Sequence, residues 1–208
     1  MPLETLLLFV PACFALNMAF GPNNLLSITL GARHGLRTPL LAATGRLVAF
    51  TLMIAIAALG MGAVLTASEL AFTVVKIAGA AYLVWLGIKI LRAPATVAVD
   101  QPEPAGRGLA SFMRQEFLVA IGNPKAILIF TAFFPQFVVA GHYWSSFALL
   151  GAIFLALELV AIALYAYAGT RLSGVMRHAR GLRWINRISG ATMIAFGGLL
   201  MAARRPAM

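Results

Sequence analysis

Polar residues sit in this chain where apolar sequence surrounds them. Phe20-Gly21-Pro22-Asn23-Asn24 interrupts the first of several long apolar segments, and Gly122-Asn123-Pro124-Lys125 interrupts the fourth. A proline inside a helix removes a backbone donor and clashes with the turn before it. In lipid no water satisfies the carbonyls so released. Asn23 or Asn24, and Asn123, can instead cap a new half-helix, whose first N–H groups and positive dipole end bind carboxylates. A plain proline kink is the alternative. Asn17 adds an amide roughly two helical turns earlier. Lys125 falls in the first turn of the second half-helix, where a cation opposes the dipole and needs compensation. Either a bound carboxylate supplies it, or Lys125 snorkels to the near surface.

Glu158 lies in Leu155-Ala156-Leu157-Glu158-Leu159-Val160, near the middle of the fifth apolar segment. A carboxylate at that depth must be protonated, paired or facing a wet cavity. Proton coupling and recognition of a substrate ammonium are its functional readings; a buried ion pair with Arg46 or Lys125 is the structural one. Arg46 lies about 10 Å of helix past Pro39, so snorkelling is strained, and pairing with Glu158 or with a substrate carboxylate is equally open. Tyr165 and Tyr167 read as packing or interface residues before cavity residues.

What these residues lack also restricts the chemistry. There is no Walker loop. His34, His142 and His178 are scattered through loops, and Cys13 is the sole cysteine, so no metal site is expected; Cys13 reads as a buried structural thiol. No serine–histidine pair can be placed at membrane depth. An enzyme is not expected, nor any cofactor.

The elements that position these groups follow from composition. The chain has 208 residues, 62% hydrophobic and 11% charged, with mean hydropathy +0.93. Soluble domains are about half apolar and about a quarter charged, so this is a polytopic membrane protein. Its net charge of +10 is placed between apolar segments, which favours lipid headgroups over nucleic acid as the reason for it. Six segments are long enough to span a bilayer: residues 5–32, 39–66, 71–91, 118–140, 145–168 and 184–203. No Lys or Arg precedes Arg33, unlike a cleaved signal peptide, so the first segment should be retained. Arg33 and Arg37, then Lys89, Arg92, Arg107 and Arg114, then Arg171, Arg177, Arg180, Arg183 and Arg187 mark the odd loops as cytoplasmic. Both termini are then outside, against which Arg204 and Arg205 argue weakly. Tyr143, Trp144 and Trp184 fall at interfaces.

Residues 93–107, rich in proline and acid, read as a cytoplasmic linker between two three-span halves, 1–92 and 108–208. An odd number of spans per half inverts one half relative to the other. Lys76-Ile77-Ala78-Gly79-Ala80, with Trp85 and Gly87, is echoed by Arg187-Ile188-Ser189-Gly190-Ala191, with Phe196 and Gly198. The fold expected is all-α: six transmembrane helices in two inverted three-helix repeats, the first and fourth broken. Gly79 and Gly190 are expected at close helix contacts.

Taken in order, these motifs resemble the LysE/RhtB family of bacterial amino-acid exporters. The resemblance rests on Gly21-Pro22-Asn23, then Gly31, Gly35 and Gly45, and Lys76 through Gly79-Ala80-Ala81-Tyr82-Leu83 to Leu86-Gly87. Asn123-Pro124-Lys125, Phe133-Phe134-Pro135-Gln136-Phe137 and Glu158 with Tyr165-Ala166 complete it. It implies a multi-pass protein of the bacterial inner membrane that exports an amino acid or close derivative, of the homoserine, threonine or leucine type, by proton antiport. Phe20 stands where the family commonly has a proline ahead of Gly-Pro, which bears on pocket shape. The site expected from this reading comprises Asn17, Gly21, Pro22, Asn23, Asn24, Asn123, Pro124 and Lys125 for substrate, Glu158 for the proton, and Arg46 as ion pair or substrate contact. Partners are the small-molecule substrate and membrane lipid, with a homo-oligomer open. The rival readings are export of an organic anion or metal ion, and a non-transporting assembly protein.

Overall fold

The computed structural model describes residues 1–67, 69–92, 108–139, 141–172 and 179–202. All regular structure among them is helical. The order is α1 (Leu3–Met18), α2 (Pro22–His34), α3 (Arg37–Ala67), α4 (Glu69–Leu91), α5 (Leu109–Ile121), α6 (Pro124–Leu128), a π turn (Ile129–Phe133), a 3-10 turn (Phe134–Phe137), α7 (Tyr143–Leu172) and α8 (Ala179–Ala202). The expected linker, 93–107, lies outside the described residues.

Both proline interruptions break the helix. Gly21 is the extended N-cap of α2, with Pro22 at its first position; Asn123 caps α6, with Pro124 at its first position. Proline is favoured there because the missing N–H has no helical partner in any case. The axes turn by 61° between α1 and α2 and by 52° between α5 and the stretch Pro124–Phe137. By length and composition Arg37–Gly60 and Tyr143–Arg171 can cross a membrane, and each bent pair qualifies when taken as one span. Leu7, Leu8, Leu52, Ile56 and Leu59 are exposed, which suits lipid as the surrounding solvent.

The largest boundary difference from the sequence reading is in the fourth segment. The fourth apolar segment begins at Leu109 and not at residue 118. Arg114-Gln115-Glu116 looks like loop, but Phe112, Glu116 and Ala120 are all buried. Their spacing of four puts them on one face of a helix, turned toward the interior.

Small residues set the packing, since apolar side chains gain little over lipid when they associate in a bilayer. A Cβ on Gly45 would collide with the Met113 carbonyl of α5, one on Gly31 with the Ala166 carbonyl of α7, and one on Gly169 with the Ile28 carbonyl of α2. The helix pair α4 and α8 closes in the same manner. A Cβ on Gly190 would lie 2.7 Å from the Gly87 carbonyl, and one on Gly197 2.9 Å from the Ala80 carbonyl. Helices α3 and α7 run antiparallel: Arg46 pairs with Glu158, Gly151 lies against Ile54 and the Tyr143 hydroxyl donates to the Ala58 carbonyl.

Candidate functional site

The two bends meet. Asn123 Nδ2 donates to Asn23 Oδ1 at 2.7 Å, tying the break of one half of the chain to that of the other. Asn123 Oδ1 accepts from the Lys125 backbone N–H at 3.0 Å, the N-cap expected of an asparagine ahead of Pro.

Ending α1 inside the molecule leaves its last carbonyls without helical partners. Three other elements supply donors. Lys125 Nζ donates to Leu16 O at 3.1 Å and to Ala19 O at 2.8 Å. Asn24 Nδ2 donates to Asn17 O and Ala19 O, both at 2.9 Å. The Tyr165 hydroxyl donates to Met18 O at 2.5 Å. Lys125 therefore does not snorkel: it is 8% exposed and sits at the bend of a helix that begins sixteen residues earlier than the lysine, at Leu109. Its compensation comes from the negative end of the α1 dipole, a partner the sequence reading did not weigh.

Arg46 is fully buried, which overturns the snorkelling alternative. Its Nε donates to Glu116 Oε2 at 2.8 Å and Nη2 to Glu116 Oε1 at 2.9 Å, a bidentate fork. Nη1 donates to Glu158 Oε1 at 2.9 Å. Nη2 also reaches Asn23 O at 2.6 Å and Ser27 Oγ at 2.7 Å. One guanidinium on α3 thus holds α2, α5 and α7. The ion pair between Arg46 and Glu158, left open by sequence, is present.

Between these groups lies a cavity of about 10 Å³, room for about one water molecule. Asn17, Gly21, Asn23, Asn24, Asn123, Lys125 and Glu158 line it, together with the apolar Phe50, Ala126, Ile129 and Phe154. Pro22 and Pro124 form the bends without facing it, and Arg46 stands behind Glu158. Asn17 Nδ2 donates to the Phe154 carbonyl at 3.3 Å. The buried charged residues among those described are Arg46, Lys125, Glu116 and Glu158, two of each sign.

Glu116, Ser27, Phe50 and Phe154 were not singled out by sequence. For Glu116 the available signal was the buried face Phe112, Glu116, Ala120. Tyr165, read first as packing, is buried and caps α1, with Phe20 against its ring at 6.2 Å between centroids. Tyr167 is exposed beneath Arg171, and Cys13 is a buried free thiol.

A family model described as LysE type translocator matches residues 14–204. The chain belongs to that family. This translocator is 30% identical over 207 residues to an "Uncharacterized membrane protein" of Vibrio cholerae serotype O1, covering 98% of this chain and 100% of the relative. It is 28% identical over 193 residues to the "Homoserine/homoserine lactone efflux protein" of Salmonella typhimurium, covering 91% and 92%. It is 31% identical over 118 residues to the "Leucine efflux protein" of Klebsiella pneumoniae, covering 57% and 56%. No solved structure matches this translocator. It is an integral membrane protein and a transporter, not an enzyme.

Proposed function

We propose that this translocator exports an amino acid or a close derivative across the bacterial inner membrane by proton antiport. Six spans in two oppositely oriented halves, 1–92 and 108–208, would rock about the junction of the two bends, with 93–107 following. The observation that carries the reading is the Asn23–Asn123 bond at a buried polar cavity that also holds Lys125 and Glu158. Broken helices that meet from corresponding positions of two halves are where secondary transporters place their substrates. An amino acid carries one carboxylate and one ammonium, and the cavity offers one base and one acid. In this reading Lys125, the amides of Asn17, Asn23, Asn24 and Asn123, and the start of α2 at Gly21 and Pro22 receive the carboxylate. Pro124 sets the second bend. Glu158 receives the ammonium or the coupling proton, so that substrate and proton compete for one group. Relatives that export homoserine and leucine by name support the substrate class.

Small-molecule sites are usually about 300 Å³ or more, far above the volume enclosed here, so loading requires the bends to part. The test is export from cells fed a mixture of dipeptides, with released amino acids profiled by mass. Expression of the chain should raise the release of one or a few amino acids, and Glu158→Gln should abolish that rise at an equal amount of protein in the membrane. Undiminished release by Glu158→Gln removes the acid from the scheme.

A further inference from the structure

The Arg46 guanidinium contacts two carboxylates, and it treats them differently. Glu116 receives two donors, from Nε and Nη2, in a side-on fork, whereas Glu158 receives one, from Nη1. Glu116 is 0% exposed and lies outside the cavity wall; Glu158 lines the cavity. A fork of two parallel bonds fixes geometry and charge together. A single bond at the cavity edge can be exchanged without dismantling the fork.

We infer that Glu116 is a positioning residue for transport: it holds and neutralises Arg46 so that Glu158 can leave the guanidinium for a proton or a substrate ammonium. The inference rests on the reading of Glu158 as the exchangeable acid. With Glu116 in place, Arg46 keeps a full carboxylate partner when Glu158 is engaged elsewhere. Without it, every departure of Glu158 strands a buried cation, which is strongly unfavourable. The charge count agrees. Glu116 balances Arg46, so the charge of Glu158, although it accepts one bond from Arg46, is matched in number by Lys125 on the same cavity. The fork also keeps the guanidinium on Asn23 O and Ser27 Oγ, so the first bend stays anchored while Glu158 is away.

The experiment compares Glu116→Gln, Glu116→Asp, Glu158→Gln and the double variant Arg46→Gln/Glu116→Gln in the dipeptide-fed export measurement, each normalised to protein in the membrane. Glu116→Gln should lower release at least tenfold, because Arg46 then depends on Glu158 alone. Glu116→Asp keeps the charge and should stay within a few-fold of the parent. The double variant removes the fork as a unit and frees Glu158, so it should export better than Glu116→Gln alone. A merely structural Glu116 predicts that Glu116→Gln lowers the amount of protein in the membrane but leaves release per inserted protein unchanged; a double variant that exports no better than Glu116→Gln also overturns the inference. It is also overturned if Glu116→Gln exports like the parent while Glu158→Gln is inactive. Should Glu158→Gln itself export normally, the underlying export reading fails, whatever Glu116 does. If Glu116→Gln does not accumulate in the membrane, the double variant decides: release by it supports the inference, and absence of release despite its insertion overturns it.

Discussion

Two layers one helical turn apart reach the cavity, one through Glu158 and the other through Phe50 and Phe154, and they are held together by opposite kinds of force. On α3, Arg46 and Phe50 share a face; on α7, Glu158 and Phe154 do. The charged layer joins Arg46, Glu116 and Glu158 through bonds of 2.8–2.9 Å. The aromatic layer joins Phe50, Phe130 and Phe154, with ring centroids 4.9–5.8 Å apart. Backbone geometry divides along the same line. Toward the basic ends of α2, α3, α5 and α7 the helices are regular and meet backbone to backbone at Gly31, Gly45 and Gly169. Toward the other end the second bent pair loosens into the π turn and the 3-10 turn, and its contacts are Phe130, Phe133, Phe134 and Phe137. Directional ion pairs resist displacement because moving one partner exposes the other. Ring contacts can slide at little cost, and π and 3-10 turns recur at hinges and functional sites. The aromatic side is therefore the softer side of the cavity.

Breaking the charged layer should have the largest effect. Arg46→Met leaves Glu116 and Glu158 buried without their cation. Removing one partner of a buried pair costs about 3–5 kcal/mol, and here two acids lose the same partner. The expected outcome is protein missing from the membrane, or a sharp fall in the melting temperature of the detergent-solubilised chain. A melting temperature within error of the parent would mean that the layer does not clamp the helices.

The layers also differ in how far they could be read from sequence. Pro22 and Pro124 act on their own backbone, so both bends were legible as residue types in a row. Asn17, Asn23, Asn24, Asn123, Lys125 and Glu158 were legible as polar groups at depth, where each must find a partner. Which partner it finds is a property of packing, and there the sequence stopped. For Lys125 the repulsive dipole of its own helix left a bound carboxylate and snorkelling both open, but the carbonyls of a different helix, α1, accept its hydrogen bonds. Glu116 was lost because Arg114-Gln115-Glu116 has the look of a loop, and only the pairing with Arg46 allows that acid inside. The ring contacts left no trace, since Phe50 and Phe154 are indistinguishable in the sequence from the lipid-facing residues around them. The six-span count and the inverted halves rest on loop charge and repeat traces in the sequence. By hydropathy and length, the described helices give two spans, or four with each bent pair as one.

Backbone contact on the basic side predicts the next effect. Gly45→Ala puts a methyl group into the Met113 carbonyl, and α3 must move from α5. Overpacking of this kind costs about 1–3 kcal/mol. Gly60→Ala on the same helix meets nothing within 4 Å and should be neutral, or stabilising by up to about 1 kcal/mol, since alanine is the better helix former. Thermal melts of the two variants should therefore move in opposite directions or differ clearly. Equal melts would show that α3 and α5 are not seamed at Gly45.

The smallest effect belongs to the aromatic layer, and it separates a soft wall from a second clamp. Phe50→Leu removes ring contacts with Phe130 and Phe154 but keeps an apolar side chain of similar reach. The change removes a few ring carbons from a buried site, so its cost falls toward the low end of large-to-small core substitutions, about 1–1.5 kcal/mol, and no charge or hydrogen bond is lost. The chain should reach the membrane in normal amounts and melt within a few degrees of the parent. Export should change by no more than a few-fold, because the polar groups that would hold the substrate are untouched and the wall they face gains room. If Phe50→Leu instead abolishes export while the protein stays folded, the rings must meet in a defined geometry at some step. The aromatic side would then be a gate as specific as the Arg46 cluster, and the contrast between the two layers would lie in their chemistry but not in their stiffness.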